Sequence, residues 1–454
     1  MRVLRARSGD QSREILRLAV PAFLALVAEP LFLLADSAII GHLGTAQLAG
    51  LGVASATLLT AANLFVFLAY GATSIVARQI GAGAQRSALE AGIDGTWLAT
   101  GIGALVAVAV AVAAEPLCRL FGASPAALAH ATTYLRVSAL GIPAMLVALA
   151  ATGVLRGLQD TRTPLVASVA GFTSNIVLNL ALVYGLGWGI AGSAWGTVMA
   201  QTGMATALVV VLVRHARAAD AGLHPHPGRV LRAALSGIPL LVRTLALRAI
   251  LLLTTWVAAG LGDVPLAAHQ VAATVWSFLV FALDALAIAA QALTGKALGA
   301  GDVQGARSAT STMVRWGVWG GAVLGAALLA VHRVLPAAFT SDEAVRSALA
   351  AALVVVALGQ PLSGYVFVVD GVLIGAGDGR WLAKAMVATL LLYLPLALGV
   401  HAAAGALLGD GGADGQALAL AALWVAFTAF MAIRGVLFWR RVRTDDWAVT
   451  GAAR

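Results

Sequence analysis

A series of about twelve long apolar runs, separated by Gly, Pro and charged residues, restricts what this chain can become. A helix needs roughly 20 apolar residues to cross a bilayer, and lipid offers no partner for an unpaired backbone group. Each run is therefore predicted to be a transmembrane helix. The predicted spans are 15–40, 47–71, 92–115, 130–152, 164–185, 190–213, 234–260, 265–291, 312–334, 348–374, 382–403 and 416–438.

The composition excludes a soluble domain of this size. Of the 454 residues, 61% are hydrophobic and only 11% are charged, whereas about a quarter of a soluble domain is charged. The net charge of +9 does not indicate nucleic acid, because the basic residues lie between the apolar runs. Cys118 is the only cysteine, so neither an internal disulfide nor a multi-cysteine metal site can form.

The basic residues also predict the orientation in the membrane. Of the 29 Lys and Arg residues, 23 lie in the N-terminal segment, the even-numbered loops and the C-terminal segment. The odd-numbered loops hold four, and Arg243 and Arg248 fall within the seventh span. Cytoplasmic loops carry the excess of basic residues. We therefore predict a multi-pass protein of the inner (plasma) membrane with both termini in the cytoplasm.

The two halves of the chain repeat at a constant interval of 218 residues over more than 130 positions. Pro21 matches Pro239, Gly-Ala-Gly at 81–83 recurs at 299–301, and Gly-Val-Leu at 153–155 recurs at 371–373. Each half has an even number of spans, so both halves enter the membrane from the same side. Parallel repeats of this kind are related by an axis along the membrane normal.

The repeat predicts an all-α membrane protein with twelve transmembrane helices in two six-helix lobes, related by pseudo-twofold symmetry. We expect an N-lobe at 1–213, a cytoplasmic linker at 214–233, a C-lobe at 234–440 and a cytoplasmic tail at 441–454. Such folds bind substrate between the halves near the membrane midplane. His224 and His226 in the linker lack partner ligands, so no metal site is predicted there.

Ionisable residues inside spans are costly and therefore point to function. Asp36 lies in the first span, and Glu29 lies seven residues earlier on the same helical face, so both suit a proton or cation site. The alternative is that Asp36 caps the helix before the next turn. In the fifth span, Asn175 and Asn179 share one face. These amides either coordinate Na⁺ or hold a carboxylate, or else join helices by hydrogen bonds.

The second half carries different charges. Arg248 needs a partner in a bilayer, and the natural candidates are Asp284 in the eighth span and Asp370 in the tenth. A buried ion pair would be structural, whereas an unpaired aspartate would be a cation site, and the sequence leaves both open. Pro21 in the first span either permits a kink or lies just inside the helix start, where it is harmless.

Several motifs resemble those of the multidrug and toxic compound extrusion (MATE) transporters, in particular the DinF-like branch. The likeness runs over nearly the whole chain. The motifs are Pro21, Asp36-Ser37 with the Gly41-His42-Leu43-Gly44 turn, the segment from Gly153 to Pro164, the segment from Gly192 to Thr197, and the segment from Ala285 to Gly301 with Lys296.

The resemblance implies that Asp36 is the central coupling residue and that Pro21 bends the first span after protonation. It also implies that Thr197 and Gln201 in the sixth span are polar positions near the same cavity. Asn179 stands where archaeal DinF-like transporters have an aspartate, so a relay of two carboxylates is in doubt.

Two further residues bear on how far the family pattern applies to this chain. Glu29 could partly replace the missing carboxylate. In another branch of the family a glutamate of the seventh span belongs to a C-lobe cation site, and here that region carries Arg248 instead. That site is therefore not transferred to this chain.

The predicted function is secondary active multidrug efflux of amphipathic or cationic organic compounds, by antiport with H⁺ or Na⁺. No other cofactor and no nucleic acid is expected, and we expect a monomer. A metal site is not firmly indicated, although Asp36, Asn175 and Asn179 would suit Na⁺. Because the buried charge is mainly acidic, cations fit better than the pyrophosphate carried by substrates of the lipid-linked oligosaccharide flippases, which belong to the same superfamily.

A remote alternative is an intramembrane protease. The pattern Gly-x-Gly-Asp occurs at 375–378 and at 299–302. Both copies fall in basic loops at span ends, and no partner Tyr-Asp pair lies within a span. Walker and HExxH motifs are absent from the sequence. The sequence therefore indicates a transporter rather than an enzyme.

Overall fold

The computed structural model describes residues 2–120, 122, 124–409 and 412–452, except for the side chains of residues 2–11, 29, 33 and 34. These residues form sixteen α-helices and no strand. The helices are α1 (Arg2–Gly41), α2 (Thr45–Phe65), α3 (Phe67–Gly81), α4 (Gln85–Val112), α5 (Ala114–Leu120), α6 (Pro125–Ala139), α7 (Ile142–Gly157), α8 (Arg162–Leu180), α9 (Gly189–Ala218), α10 (Pro227–Gly260), α11 (Asp263–Gly299), α12 (Val303–Val331), α13 (Glu343–Gly375), α14 (Gly379–Ala402), α15 (Ala404–Leu408) and α16 (Ala413–Arg443).

The predicted twelve spans are confirmed within the described residues. Eleven helical segments are long and apolar enough to cross a membrane, and the bent pair α6–α7 makes a twelfth. One of the eleven is the pair α2–α3, which forms a single segment from Thr45 to Gly81. The helices extend beyond the apolar runs: α11 continues to Gly299, whereas its run was predicted to end at 291.

The fourth span differs from the single helix predicted for 130–152. It consists of α6 and α7, which meet at an angle of 51°. Pro143 stands in the first turn of α7, where its missing N–H is harmless but where it could not continue α6. Pro361 at the matching position lies inside the continuous helix α13. The same residue type therefore breaks a helix in one lobe and is accommodated in the other.

Pro21 lies well inside α1, so the interpretation of Pro21 as a harmless residue near the helix start is wrong. A proline in a helix interior removes one backbone hydrogen bond and favours a kink. A second proline, Pro30, lies in the same helix nine residues later. The first span is therefore weakened at two places along its length.

The two lobes pack with the symmetry that the repeat predicts. A Cβ atom added to Gly153 would lie 2.8 Å from the Cα of Ala69, and one added to Gly371 would lie 2.8 Å from the Cα of Ala287. Both members of the second pair stand 218 residues after those of the first. Glycine is required at both places because the helices touch through their backbones.

The lobes meet where α3 and α11 end. A Cβ on Gly81 would overlap the carbonyl of Lys296, and a Cβ on Gly299 would overlap the carbonyl of Arg78. Positions 78 and 81 become 296 and 299 on addition of 218, so this contact is reciprocal. We call this side of the molecule, where α1 begins and α16 ends, the terminal face. The other side is the opposite face.

Close helix packing in the C-lobe gives a test of the structure. A Cβ on Gly317 would lie 2.6 Å from the carbonyl oxygen of Gly364, whereas Gly320 on the same helix has no atom within 4 Å. Gly317→Ala is expected to destabilise the protein by about 1–3 kcal/mol through overpacking. Gly320→Ala serves as the control and should melt at or above the wild-type temperature. Equal melting temperatures for the two variants in detergent would contradict the α12–α13 contact.

Candidate functional site

A buried carboxylate in the N-lobe receives hydrogen bonds from three other helices. Asp36 on α1 is only 3% exposed. Its Oδ1 accepts from Asn179 Nδ2 at 2.6 Å and from Ser193 Oγ at 2.8 Å, and its Oδ2 accepts a longer bond from Tyr134 at 3.4 Å. These donors lie on α8, α9 and α6. The interpretation of Asp36 as a helix cap is therefore wrong, because its partners are side chains of other helices.

The two asparagines extend this network along α8. Asn179 Nδ2 also donates to Asn175 Oδ1 at 2.9 Å, and Asn175 Nδ2 donates to Thr197 Oγ1 on α9 at 3.0 Å. Both asparagines are almost fully buried. They join helices, as one of the two interpretations of the sequence expected, and they also hold the carboxylate, as the other expected.

One oxygen of this network is left without a donor. Asn179 Oδ1 is buried and has no hydrogen-bond partner within the part of the chain that the structure describes. It lies against Gly196, where any Cβ would overlap it. A buried, unsatisfied acceptor costs about 1–3 kcal/mol. An acceptor of this kind beside a carboxylate is suited to accept a hydrogen bond from a protonated acid or to ligate a cation.

A cavity of about 220 Å³ opens beside the carboxylate, between α1 and α2. It is lined by Asp36, Ser37, Leu48, Leu51, Gly52, Ser55 and Leu59. Since α1 ends at Gly41, the cavity lies nearer the opposite face than the terminal face. The carboxylate of Asp36 is thus hydrogen-bonded to buried polar side chains and also lines a cavity.

Other predicted residues are not part of this network. Gln201 lies one turn beyond Thr197 on α9, against Gly141, and makes no hydrogen bond among the described side chains. The side chain of Glu29 lies outside the described residues. Of the predicted N-lobe set, the structure therefore brings together Asp36, Asn175, Asn179 and Thr197.

The matching positions of the C-lobe hold no acid. Adding 218 to Asp36 and Asn175 gives Thr254 and Tyr393, whose hydroxyl groups form a buried hydrogen bond of 2.7 Å. Asn179 corresponds to an alanine. The C-lobe thus keeps the helix arrangement and replaces the acidic network by a neutral contact.

The C-lobe has its own buried charges. Asp370 on α13 binds Arg243 on α10, with 3.2 Å between Oδ1 and Nε and a second, shorter contact to Nη2. It also pairs with Nη2 of Arg434 on α16 at 2.9 Å. All three side chains are at most 7% exposed. The prediction that Arg248 pairs with Asp284 or Asp370 is wrong, because Arg248 forms no ion pair with any described residue. It lies more than one helical turn beyond Arg243, the arginine that Asp370 binds.

Asp284 has no hydrogen bond or ion pair among the residues in the described ranges. It is half-buried on α11 and interacts electrostatically with Arg156 at the end of α7. The side chain of Tyr70 lies in the same region as Asp284, Arg156 and Arg243. The guanidinium of Arg243 stands 5.9 Å from the centre of the Tyr70 ring.

The expectation that the buried charge is mainly acidic therefore does not hold for the C-lobe, because buried basic residues are present there too. Arginines also lie at least half-buried in the C-lobe and at its boundary with the N-lobe, where they accompany Asp284 and Asp370. These arginines are Arg156, Arg243, Arg248 and Arg434. The acidic network around Asp36, by contrast, belongs to the N-lobe.

The two Gly-x-Gly-Asp aspartates have structural partners. Asp378 binds Nε of Arg441 at 2.7 Å, and Asp302 caps α12 by accepting from the N–H of Gly305 at 2.7 Å. Both aspartates act in turns, as their positions in basic loops had indicated.

Sequence reasoning missed four of the residues that matter. Tyr134 and Ser193 bind Asp36 but are uncharged. Ser193 lies in the motif from Gly192 to Thr197 without having been singled out, and nothing in the local sequence marks Tyr134. Arg243 and Arg434 both fall inside predicted spans, at 234–260 and 416–438, and this was a usable signal. Arg434 had been grouped with the basic residues of the C-terminal segment.

Comparison with known proteins gives a family match in two parts. The family model MatE matches residues 21–181 and 239–399. Both the first and the last positions of these two ranges differ by 218, the interval of the repeat. The matched residues make up more than half of the chain.

Curated relatives match nearly end to end. Protein DETOXIFICATION 44, chloroplastic, of Arabidopsis thaliana is 32% identical over 460 residues, covering 98% of this chain and 85% of that protein. DNA damage-inducible protein F of Escherichia coli (strain K12) is 29% identical over 459 residues, covering 96% of this chain and 94% of that protein.

A solved structure shows the same fold. A point mutant of the Vibrio cholerae MATE transporter VcmN matches with a TM-score of 0.84 and 19% identity, over 97% of this chain and 99% of that one. This likeness confirms the two-lobed, all-α architecture that the repeat predicted.

Proposed function

Because the chain belongs to the MATE family of membrane transporters, which are not enzymes, we propose that it is a secondary active exporter coupled to H⁺ or Na⁺. The proposed substrates are amphipathic organic compounds, cations among them, and no further cofactor takes part. The observation that carries this proposal is the Asp36 network, a buried carboxylate beside a cavity and an unsatisfied acceptor.

The chemistry of coupling follows from these contacts. In the charged state, Asp36 is stabilised by donors from Asn179, Ser193 and Tyr134. A protonated Asp36 would lose much of that stabilisation and would itself need an acceptor, which rotation of the Asn179 amide would supply. Na⁺ would instead be held by the carboxylate and Asn179 Oδ1, since hard cations prefer oxygen ligands. Binding of either ion to Asp36 would change the hydrogen bonds that join α1 to α6, α8 and α9.

The asymmetry of the lobes supports an N-lobe location for coupling. Only the N-lobe has a carboxylate at this position, whereas the C-lobe pair Thr254 and Tyr393 cannot exchange a proton near neutral pH. Loss or gain of an ion at Asp36 would alter α1 relative to α6, α8 and α9. We propose that this change biases the lobes between two arrangements.

The same proposal includes an orientation and a cycle. The excess of basic residues in loops on the terminal face supports a cytoplasmic location for this face in the plasma membrane. The backbone contacts of Gly81 and Gly299 close this face, while the Asp36 cavity lies towards the other. In this proposal the terminal face is the cytoplasmic side, and export requires alternation between this closed arrangement and a state open on that face.

The test is transport by purified protein in liposomes. A fluorescent organic cation is loaded, and its movement is followed under an imposed pH gradient, an imposed Na⁺ gradient, or neither. Movement driven by one gradient and collapsed by the matching ionophore supports antiport and identifies the ion. The proposal fails if neither gradient drives movement of any amphipathic compound in a panel of cations, zwitterions and anions.

The close contact between Gly196 and the side-chain amide of Asn179 gives a prediction about ion binding. A Cβ on Gly196 would overlap Asn179 Oδ1, so Gly196→Ala is expected to push the amide away from Asp36. Loss of a hydrogen bond to a charged group costs about 1.5–3 kcal/mol, which corresponds to a change of roughly tenfold or more in apparent ion affinity. The measurement is the ion concentration that gives half-maximal transport. Gly203→Ala on the same helix, with no atom within 4 Å, is the control and should match wild type.

Flipping of a lipid-linked anion is the second candidate, and the buried arginines favour it. Arg156 and Arg248 are half-buried and have no ion pair among the described residues, and arginine is well suited to phosphate. The two functions separate in one assay. An exporter moves the fluorescent cation in a gradient-dependent way, whereas a flippase moves a pyrophosphate-bearing lipid between leaflets and leaves the cation in place.

A further inference from the structure

The chain beyond α16 returns across the terminal face. We call residues 444–452 the C-terminal strap. Its Trp447 is only 1% exposed and donates from Nε1 to the carbonyl of Val442 at 3.2 Å. Further along, the N–H of Gly451 donates to the carbonyl of Leu298 near the end of α11, at 3.1 Å. The strap is therefore packed onto the protein and is not a solvated extension.

The strap is attached to the C-lobe by charged contacts as well. Asp445 pairs with Arg307 on α12, and Asp446 pairs with Arg441 on α16 at 2.9 Å. Together with the Gly451–Leu298 bond, every one of these attachments is to helices α11, α12 and α16. The strap would consequently move with the C-lobe if the lobes separated.

One N-lobe side chain crosses to this strap. Arg78 lies in the last turn of α3 and is 2% exposed. Its Nη2 donates to the carbonyls of Val449 at 2.9 Å and Gly451 at 2.8 Å, and its Nη1 donates to the carbonyl of Ala376 after α13 at 3.1 Å. All three acceptors belong to the C-lobe half of the chain. Hydrogen bonds from a charged donor are stronger than those between neutral groups.

The repeat places a second cation at the matching position. Residue 78 corresponds to Lys296 on α11, and its Nζ donates to Oε1 of Gln159, just after α7 in the N-lobe, at 2.7 Å. Each lobe therefore sends one cation across the junction to the turn that follows the partner lobe's helix. The Arg78 contact includes the strap, whereas at the Lys296 contact Glu14 of α1 lies 3.8 Å from Nζ of Lys296.

We propose that Arg78 and the C-terminal strap form a latch that holds the terminal face closed, and that this latch must release before the lobes can open there. This inference rests on the proposed function only in assuming that the lobes alternate. The strap contributes two acceptors of Arg78, the carbonyls of Val449 and Gly451, so its undocking removes these hydrogen bonds from a buried guanidinium. Opening of the face would return that guanidinium to water.

The test measures the distance between the lobes at the terminal face. Spin labels are attached at Ser87→Cys on α4 and Gln304→Cys on α12, both exposed positions, in a Cys118→Ser background. Pulsed electron paramagnetic resonance in lipid nanodiscs then gives the ratio of separated to closed populations. The measurement uses no substrate and no ion gradient, so it stands or falls independently of Asp36-dependent export.

Two variants remove the latch from its two sides. Arg78→Gln and Trp447→Ala are each expected to raise the ratio of separated to closed lobes, by roughly tenfold or more for Arg78→Gln, which loses charged donors. The double variant should exceed Arg78→Gln by less than the effect of Trp447→Ala alone, because both changes act on one contact. Trp447→Ala leaves α3 intact and keeps the test valid where Arg78→Gln folds poorly.

The controls are residues of the same types on the same face. Arg86→Gln removes an exposed arginine whose bond, to Glu90, lies within α4, and Trp439→Ala removes a half-exposed tryptophan of α16. Both should leave the ratio at the wild-type value. The latch is overturned if Trp447→Ala leaves the ratio unchanged, or if the effects of Arg78→Gln and Trp447→Ala add in full.

Discussion

Replacing Asp36 by asparagine is expected to reduce gradient-driven export to the level of protein-free liposomes. Asparagine has nearly the same shape as aspartate and can keep its one oxygen towards Asn179 and Ser193, while its amide nitrogen takes the place of the oxygen that accepts the longer bond from Tyr134. It cannot bind and release a proton, and it lacks the charge that would hold Na⁺. The loss should therefore appear in transport and not in folding, which a melting temperature near that of wild type would show.

The repeat supplies a matched control for this prediction. Thr254→Val changes the equivalent position of the C-lobe and removes a buried hydrogen bond to Tyr393. Loss of a neutral hydrogen bond of this kind costs stability of about 1 kcal/mol. Export by Thr254→Val should persist under the same gradients. Gradient-driven export by Asp36→Asn at the wild-type rate would show that coupling lies elsewhere.

Asp370→Asn is expected to lower the free energy of unfolding by about 3–5 kcal/mol, because it leaves Arg243 and Arg434 buried without their counter-charge. Arg434 is already short of partners, since its Nε makes no hydrogen bond within the described ranges. Thermal or denaturant unfolding in detergent measures the effect. Asp263→Asn, an exposed acid in the first turn of α11, is the control and should change stability by less than about 1 kcal/mol.

A rescue variant separates structure from function at this position. Arg243→Gln and Arg434→Met, combined with Asp370→Asn, remove the whole charged group, and stability should recover in large part, as buried ion pairs often permit. This outcome would assign Asp370 to an ion pair, one of the two interpretations that its sequence context left open. If Asp370→Asn instead keeps wild-type stability and loses ion dependence, Asp370 is a cation site.

The architecture was accessible from the sequence for simple reasons. Lipid forces every span to be a helix, so the count of apolar runs predicts the count of spans. The constant interval of 218 residues then predicts two matching lobes. The reciprocal contacts of Gly153 with Ala69 and of Gly371 with Ala287 confirm this repeat at the level of backbone packing. The bend within the fourth span was missed because Pro143 breaks the helix while its counterpart Pro361 does not.

The site was predicted only in part. Asp36 stood out because an acid in a span is rare, and the asparagines stood out because they share one helix face. Tyr134 and Ser193 could not be selected in the same way, because uncharged polar residues are common in spans. Their role depends on the rotation of α6 and α9 towards α1, and the sequences of these helices do not show which of several polar side chains faces α1.

Taken by itself, the sequence determined the number of spans, the repeat, the likeness to MATE transporters and the acid at position 36. The tertiary structure decided which charges meet: Asp370 with Arg243 and Arg434 and not with Arg248, and Arg78 with the strap. The physical reason is that hydrophobic runs record only which segments lie in lipid. Contacts between helices depend on their relative rotation, tilt and depth, which arise from packing over the whole molecule.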